Sequence, residues 1–214
     1  MNWKRIPKEN SVQPSTGTYS DWKGHLAKEG FHQCVYCTIK ESSFGGIRNF
    51  HVEHYKPKGK ADFKSLTNIF TNLFYACSIC NSFKSDDFPL NPTEDLNIPS
   101  YPDPSKYDYS NFIGIDFSTM EAFGENAASN YMIYKLFLNR PQLLQLRKEY
   151  LYYNKTQEIA TEAQRIIGEL KENSGHYPEL SQLILELTDI SLRMIQLFIQ
   201  YNDVIPYSRH DTQR

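Results

Sequence analysis

Four cysteines, placed as Cys34-Val-Tyr-Cys37 and Cys77-Ser-Ile-Cys80, constrain this chain more than any other feature, and none is left over. In a reducing compartment disulfides are disfavoured, and paired CxxC units usually hold a metal. Two such knuckles supply the four thiolates that close a tetrahedral structural zinc site. The competing readings are two unrelated buried pairs or a thioredoxin-like redox motif, but redox chemistry needs only one CxxC. The 39 residues between Cys37 and Cys77 exceed the ~15–20 of an ordinary zinc ribbon. A further element is therefore inserted between the knuckles.

That insert reads as strands and turns. Thr38–Phe44 and Ile47–Tyr55 flank Gly45-Gly46, which predicts a hairpin with a glycine turn. The second run ends in Glu53-His54, and Lys56-Pro57-Lys58 cannot easily continue a central strand. A loop with Lys60 and Lys64 follows, then Asn68–Ala76 and the second knuckle. Asn81-Ser82-Phe83-Lys84 then opens a helix.

The segments CVYC, HVEHYKPK and NLFYACSICN with the following FK resemble an HNH endonuclease of the ββα-metal type. The resemblance implies an α+β fold: a ββα-metal core with a four-cysteine zinc staple, followed by a mainly α-helical C-terminal region. By position it implies Glu53 as ligand of a catalytic divalent cation, His54 as general base and Asn81 as second ligand. Asn72 stands at the middle Asn and would brace the loop that carries His54. Glu53 stands where Asp is more usual, and Asn81 is a common variant of His. The cofactors implied are structural Zn²⁺ at Cys34, Cys37, Cys77 and Cys80, with catalytic Mg²⁺ or Mn²⁺ at Glu53 and Asn81.

The residue types suit that chemistry. Hydrolysis of a phosphodiester needs an in-line water, a base for its proton, and positive charge on the phosphoryl oxygens. A neutral histidine is the natural base near pH 7, its unperturbed pKa being ~6.5. Oxygen ligands such as a carboxylate and an amide suit Mg²⁺ or Mn²⁺. Arg48, Lys56, Lys58, Lys60 and Lys64 face only Glu53 and Asp62 within residues 48–64, with Lys84 just beyond the second knuckle. As a group these cations predict phosphate contact, whereas each lysine alone reads as a solvated surface charge. His51 shares the strand face of Glu53; it is either an extra ligand, a phosphate contact or a packing residue.

Charge is distributed unevenly. The whole chain carries a net −2, yet residues 1–64 hold 11 Lys and Arg against 6 Asp and Glu. Local field more than net charge decides where a polyanion docks. With 40% hydrophobic residues, 15 Tyr and 13 Phe, the 214-residue chain has material for a packed core. The start, MNWKRIPKEN, lacks the apolar stretch of a signal peptide, and no apolar run reaches the ~18–20 residues of a membrane span. A cytoplasmic protein without membrane contact is the expectation.

Outside the insert the expected organisation is a helical lead-in over 1–30, a nuclease core over 31–90, a Pro-rich connection over 91–128 and helices over 129–214. Tyr19–Ala27 predicts a capped short helix, and a hairpin is expected near Phe112–Phe123. Leu143, Leu146, Tyr150, Tyr153, Ile159, Ile166 and Leu170 recur at helical spacing, with Pro141 at the favoured first position. A last helix from Ser181 presents a wide apolar face of Leu183, Ile184, Leu187, Ile190 and Met194, suited to a bundle or a partner. Phe88-Pro-Leu-Asn-Pro-Thr-Glu-Asp95 and Leu138-Asn-Arg-Pro-Gln-Leu143 with Arg147 resemble HNH proteins of retron and Septu-type antiphage systems. That looser resemblance implies a defence effector acting on DNA, or on RNA such as tRNA, with an ATPase partner. Two other classes stay open: a zinc-stapled nucleic-acid-binding or scaffold protein without catalysis, and a stand-alone restriction-type HNH nuclease.

Overall fold

Two five-residue strands set the frame. In this computed structural model, which describes residues 3–9, 11–173 and 179–202, β1 (Phe50–His54) pairs antiparallel with β2 (Leu73–Cys77). The register places Glu53 opposite Phe74 and His54 opposite Leu73. Every residue of β2 is buried, because the helices α1 (Lys23–Glu29) and α2 (Ser78–Lys84) both pack against the ribbon. Such double burial explains why Leu-Phe-Tyr-Ala-Cys reads as a continuous apolar run. Phe50, opposite Cys77 in the register, stacks diagonally on Tyr75 with centroids 4.5 Å apart.

The partner of β1 differs from the expected one. Glu41–Phe44 and Ile47–Asn49 are 3-10 turns on either side of Gly45-Gly46, so no hairpin forms there. A two-residue type I′ turn needs both residues left-handed, and Gly46 has φ 81° with ψ −174°. Gly45 instead closes the first 3-10 turn at φ 75°. The residues before it are taken by the first knuckle: Cys34 N donates to Ile39 O and Thr38 N to Cys34 O, both at 2.9 Å. The run Leu73–Cys77, read only as an approach to the second knuckle, is the true second strand.

Other elements fall close to expectation. Helix α1 begins at Lys23, but no side chain caps it; Asp21 instead accepts from Thr18 N at 2.8 Å. The expected second hairpin is β3 (Ile113–Ile115) with β4 (Ala122–Gly124). Helix α3 (Ala127–Lys135) starts with a reciprocal box between Asn126 and Ser129. Residues 91–128 do not merely connect: Tyr101, Tyr109 and Phe112 are buried in the same core as Phe50 and Tyr75.

The chain divides into two compact units, one up to Arg147 and one from Lys148. Helix α4 (Pro141–Asn173) crosses that division, and α5 (Glu179–Asn202) begins two residues before the expected Ser181. In the second unit Ala160, Ile167, Ile184 and Ser191 are buried, while Ile159, Leu183, Leu187, Ile190 and Met194 are exposed. Residues 203–214 of the expected helical region lie outside the described residues. Among the described residues no helix is long and apolar enough to cross a membrane.

Candidate active site and metal centre

The four cysteines converge. Their Sγ atoms lie within 4.8 Å of one another, and all four residues are fully buried. Sulfurs about 2.3 Å from a tetrahedral zinc stand about 3.8 Å apart, and Cys37 and Cys77 Sγ are separated by 3.7 Å. The donor set therefore fits a metal ion such as zinc. Four crowded thiols cannot all ionise unaided: hydrogen bonds from Cys34, Cys37 and Cys80 pull Cys77 down, while burial pushes Cys34 up. A dication between them removes that conflict.

Each knuckle also does local work. Cys77 caps α2, its Sγ accepting from Cys80 N at 3.4 Å. Arg140, in the turn between α3 and α4, lays its guanidinium on the cluster, 3.6 Å from Cys37 Sγ and 3.8 Å from Cys80 Sγ. Its neighbour Asn139 makes two bonds to the Ala122 backbone, and Arg147 donates to Leu138 O, Asn139 Oδ1 and Met120 O. The Asn139-Arg140 turn is thereby held against both the thiolates and β4.

Helix α2 brings the second constellation together. On β1, His51 and Glu53 are two residues apart; on α2, Asn81 and Lys84 are three apart. They meet as two rungs: Asn81 Nδ2 lies 3.4 Å from His51 Nδ1, and Lys84 Nζ lies 2.7 Å from Glu53 Oε1. The outer rung is solvated and the inner one sealed. Glu53 Oε1 also accepts from Tyr36 Oη at 3.1 Å, and Lys84 Nζ donates to His54 O at 3.0 Å. Burial pushes the Glu53 carboxyl up, and the Lys84 ammonium opposes it.

His54 lies on the other face of the strand. Its Nε2 is 3.0 Å from the Thr67 carbonyl oxygen, which can only accept, so Nε2 carries the proton and Nδ1 keeps its lone pair. The Tyr19 ring stands edge-on to the imidazole with centroids 4.8 Å apart. Burial pulls His54 below its ordinary pKa, the Thr67 carbonyl opposes this, and Lys58 and Lys84 pull it further down. Asn72 closes reciprocal bonds with the Lys56 backbone, accepting from its N at 2.9 Å and donating to its O at 3.0 Å. The turn immediately after His54 is pinned by that amide.

A cavity of about 420 Å³ runs beside β1, lined by His51, Glu53, His54, Lys58, Asn81 and Asp86 together with Tyr19 and Lys23. Of the expected phosphate contacts, Lys58 is on this wall, where its Nζ donates to Tyr19 Oη at 2.6 Å. Arg48, Lys56 and Lys64 are exposed, but Lys56 borders a separate cavity. Lys60 turns to the Phe88 carbonyl at 3.0 Å. Lys84, expected at the surface, is wholly buried and engaged by Glu53, so it does not offer its charge to an outside phosphate. Glu53 lines the cavity with Asn81, only 2% of it exposed, and its Oε1 is engaged by Lys84 and Tyr36. Tyr19 and Lys23 escaped sequence reading because the lead-in reaches the site only through the tertiary fold. The signal available was the Tyr19–Trp22 cluster, where Tyr19 N meets Asn68 Oδ1 and Trp22 is buried.

Compared with known protein families, with curated proteins and with solved structures, the chain has no match in any of the three.

Proposed function

We propose that this chain is an endonuclease of the HNH type, hydrolysing phosphodiester bonds in nucleic acid, with DNA favoured and RNA such as tRNA as the alternative. The observation that carries the reading is His54: buried, oriented through Nε2 by the Thr67 carbonyl, and set with Lys58 on one cavity wall. A strand–strand–helix order around that histidine, stapled by four cysteines, supports it.

In this reading His54 Nδ1 takes the proton of an in-line water. The water oxygen bonds to phosphorus as the bond to O3′ breaks, and O3′ takes a proton from solvent, leaving 5′-phosphate and 3′-hydroxyl ends. Lys58 offsets the charge on the phosphoryl oxygens, and Tyr19 holds Lys58 in place. Zinc, held by Cys34, Cys37, Cys77 and Cys80, supplies folding free energy rather than chemistry. A divalent cofactor, Mg²⁺ or Mn²⁺, belongs to the proposal and would be held by Asn81 and Glu53, which line the same cavity, Glu53 sharing its charge with Lys84. Action as an antiphage effector beside an ATPase rests on the looser resemblance at Phe88–Asp95 and Leu138–Arg147.

The test is a cleavage assay of zinc-loaded protein on plasmid, single-stranded DNA and tRNA, with and without Mg²⁺ or Mn²⁺. Cleavage that requires the cation and disappears in His54→Ala supports the reading; normal cleavage by that variant overturns the base. A second reading, a zinc-stapled nucleic-acid-binding protein without catalysis, draws on the engagement of Glu53 by Lys84. Tight binding of DNA with no cleavage under any of these conditions would favour it.

A further inference from the structure

The turn that follows His54 is shared by two cavities. Pro57 and Lys58 line the one beside β1, whereas Tyr55 and Lys56 line another of about 560 Å³. Its walls are aromatic, with Phe63 and Tyr107 half-buried over the buried Tyr55 and Phe88. Phe63 stands edge-on to Phe88 with centroids 5.5 Å apart, and the Tyr107 hydroxyl donates to Glu94 O at 3.1 Å. A concave, largely apolar volume of this size with a few polar groups is the anatomy of a ligand site. Most of those polar groups are already used: Asn91 bonds to Asp95 and Ser100, Lys106 to Glu94, and Lys8 to Glu29. Two are not. Asp103 accepts from Ser105 N and Oγ through Oδ1 alone, so its Oδ2 has no hydrogen-bond partner among the described residues. Lys56 is fixed by its backbone to Asn72, and its exposed ammonium has no partner among the described residues.

We propose that this cavity takes one unpaired nucleobase of the substrate strand, with a neighbouring phosphate on Lys56 and an exocyclic amino group on Asp103. The rings of Phe63 and Tyr107 offer stacking surfaces, which hold a base whatever its identity. The free carboxylate oxygen adds selection, because it can only accept hydrogen bonds. Adenine, cytosine and guanine carry an amino donor, whereas thymine and uracil present two carbonyl oxygens around a single N–H. The same negative charge keeps phosphate out of the cavity and leaves it to Lys56 at the rim. Two residues span at most about 7 Å, so a strand with its scissile phosphate at Lys58 brings an adjoining nucleotide to Lys56. A base stacked inside a duplex cannot enter, which makes single-stranded or unpaired segments the preferred substrate. As a substrate determinant this rests on the nuclease reading; as a base-binding cavity it stands independently.

The experiment measures binding of the full, zinc-loaded chain, without added divalent cation, to fluorescent single-stranded dA, dC and dT oligonucleotides and to a paired duplex. The dA and dC strands should bind at least about fivefold tighter than dT, and the duplex more weakly than either. A 2-aminopurine placed in the strand should lose fluorescence as it stacks. Tyr107→Ala should weaken dA binding about tenfold and restore that fluorescence, while Tyr107→Phe keeps the ring and the quenching. Asp103→Asn retains Oδ1 for Ser105, so the fold is kept, and it should shift the preference toward dT. Equal binding of dA, dC and dT by the parent overturns the proposal. So does an unchanged order in Asp103→Asn, or a duplex bound as tightly as the single strands. Free dAMP that binds as tightly as the dA strand overturns the strand assignment and makes the cavity a mononucleotide site. A parent with the base preference that cuts no nucleic acid in Mg²⁺ or Mn²⁺ sinks the nuclease reading and leaves this cavity standing. Cleavage without any base preference does the reverse.

Discussion

Glu53 and Lys84 meet at 2.7 Å across the interface between β1 and α2, with side chains 3% and 0% exposed. A charge pair sealed this far from water gains little over a well-packed apolar pair, but removing one partner strands the other. Lys84→Met alone should therefore cost about 3–5 kcal/mol, because it leaves the Glu53 carboxylate buried beside only Tyr36. Adding Glu53→Gln should recover a large part of that loss. Chemical denaturation of the two single variants and the double measures the coupling. Losses that simply add would show that the residues do not act as a pair.

The cysteine cluster carries its own prediction through Arg140. Its guanidinium touches Cys37 and Cys80 Sγ, so it reduces the excess negative charge of a zinc held by four thiolates. Partners of this kind typically alter metal affinity 10–100-fold. Arg140→Ala should release zinc to a chelator at least tenfold faster than the parent, with Arg140→Lys between them. Cys77→Ser should lose the metal altogether and melt far lower. Equal release rates for Arg140→Ala and parent would separate Arg140 from the metal centre.

Phosphate contact at Lys58 can be read from salt dependence. A lysine that displaces one counterion contributes close to one unit to the slope of log K against log salt. Lys58→Ala should lower that slope by about one and weaken DNA binding, whereas Lys60→Ala, whose ammonium faces the Phe88 carbonyl, should change it much less. Equal effects from the two would mean that the cavity wall does not select among these cations.

Much of the site was legible because its chemistry is written in adjacent residues. The two CxxC pairs declare a four-sulfur cluster by composition and spacing, and the structure gathers all four. Glu53-His54 was legible as a pair, and strand alternation puts the two on opposite faces; what each face meets was not legible: α2 on one side, Thr67 and Tyr19 on the other. The fate of Lys84 was illegible for the same reason, since nothing in Asn-Ser-Phe-Lys says which helical face meets a buried carboxylate. The hairpin was misread because Gly-Gly is a local turn signal, whereas the choice of Leu73–Cys77 as partner is made by the tertiary core and the knuckles. Tyr19 and Arg140 enter the site from distant segments, each within a run the sequence marks, but only the tertiary fold brings them to His54 and to the cysteines.

His54 supplies the sharpest pH test. Burial lowers its folded pKa below the unfolded value of about 6.5. As pH falls, the unfolded chain therefore takes up this proton first. The stability tied to neutral His54 is fully present above pH ~6.5 and is lost as pH falls from there through the lowered folded value. Comparing denaturation of the parent with His54→Gln isolates this from the other histidines: the parent should lose stability more steeply in that window. The cleavage rate should follow the same neutral form, with its acid limb centred below pH ~6.5. An acid limb centred above pH ~6.5, or identical stability profiles in parent and variant, would remove His54 from the role of buried, neutral base.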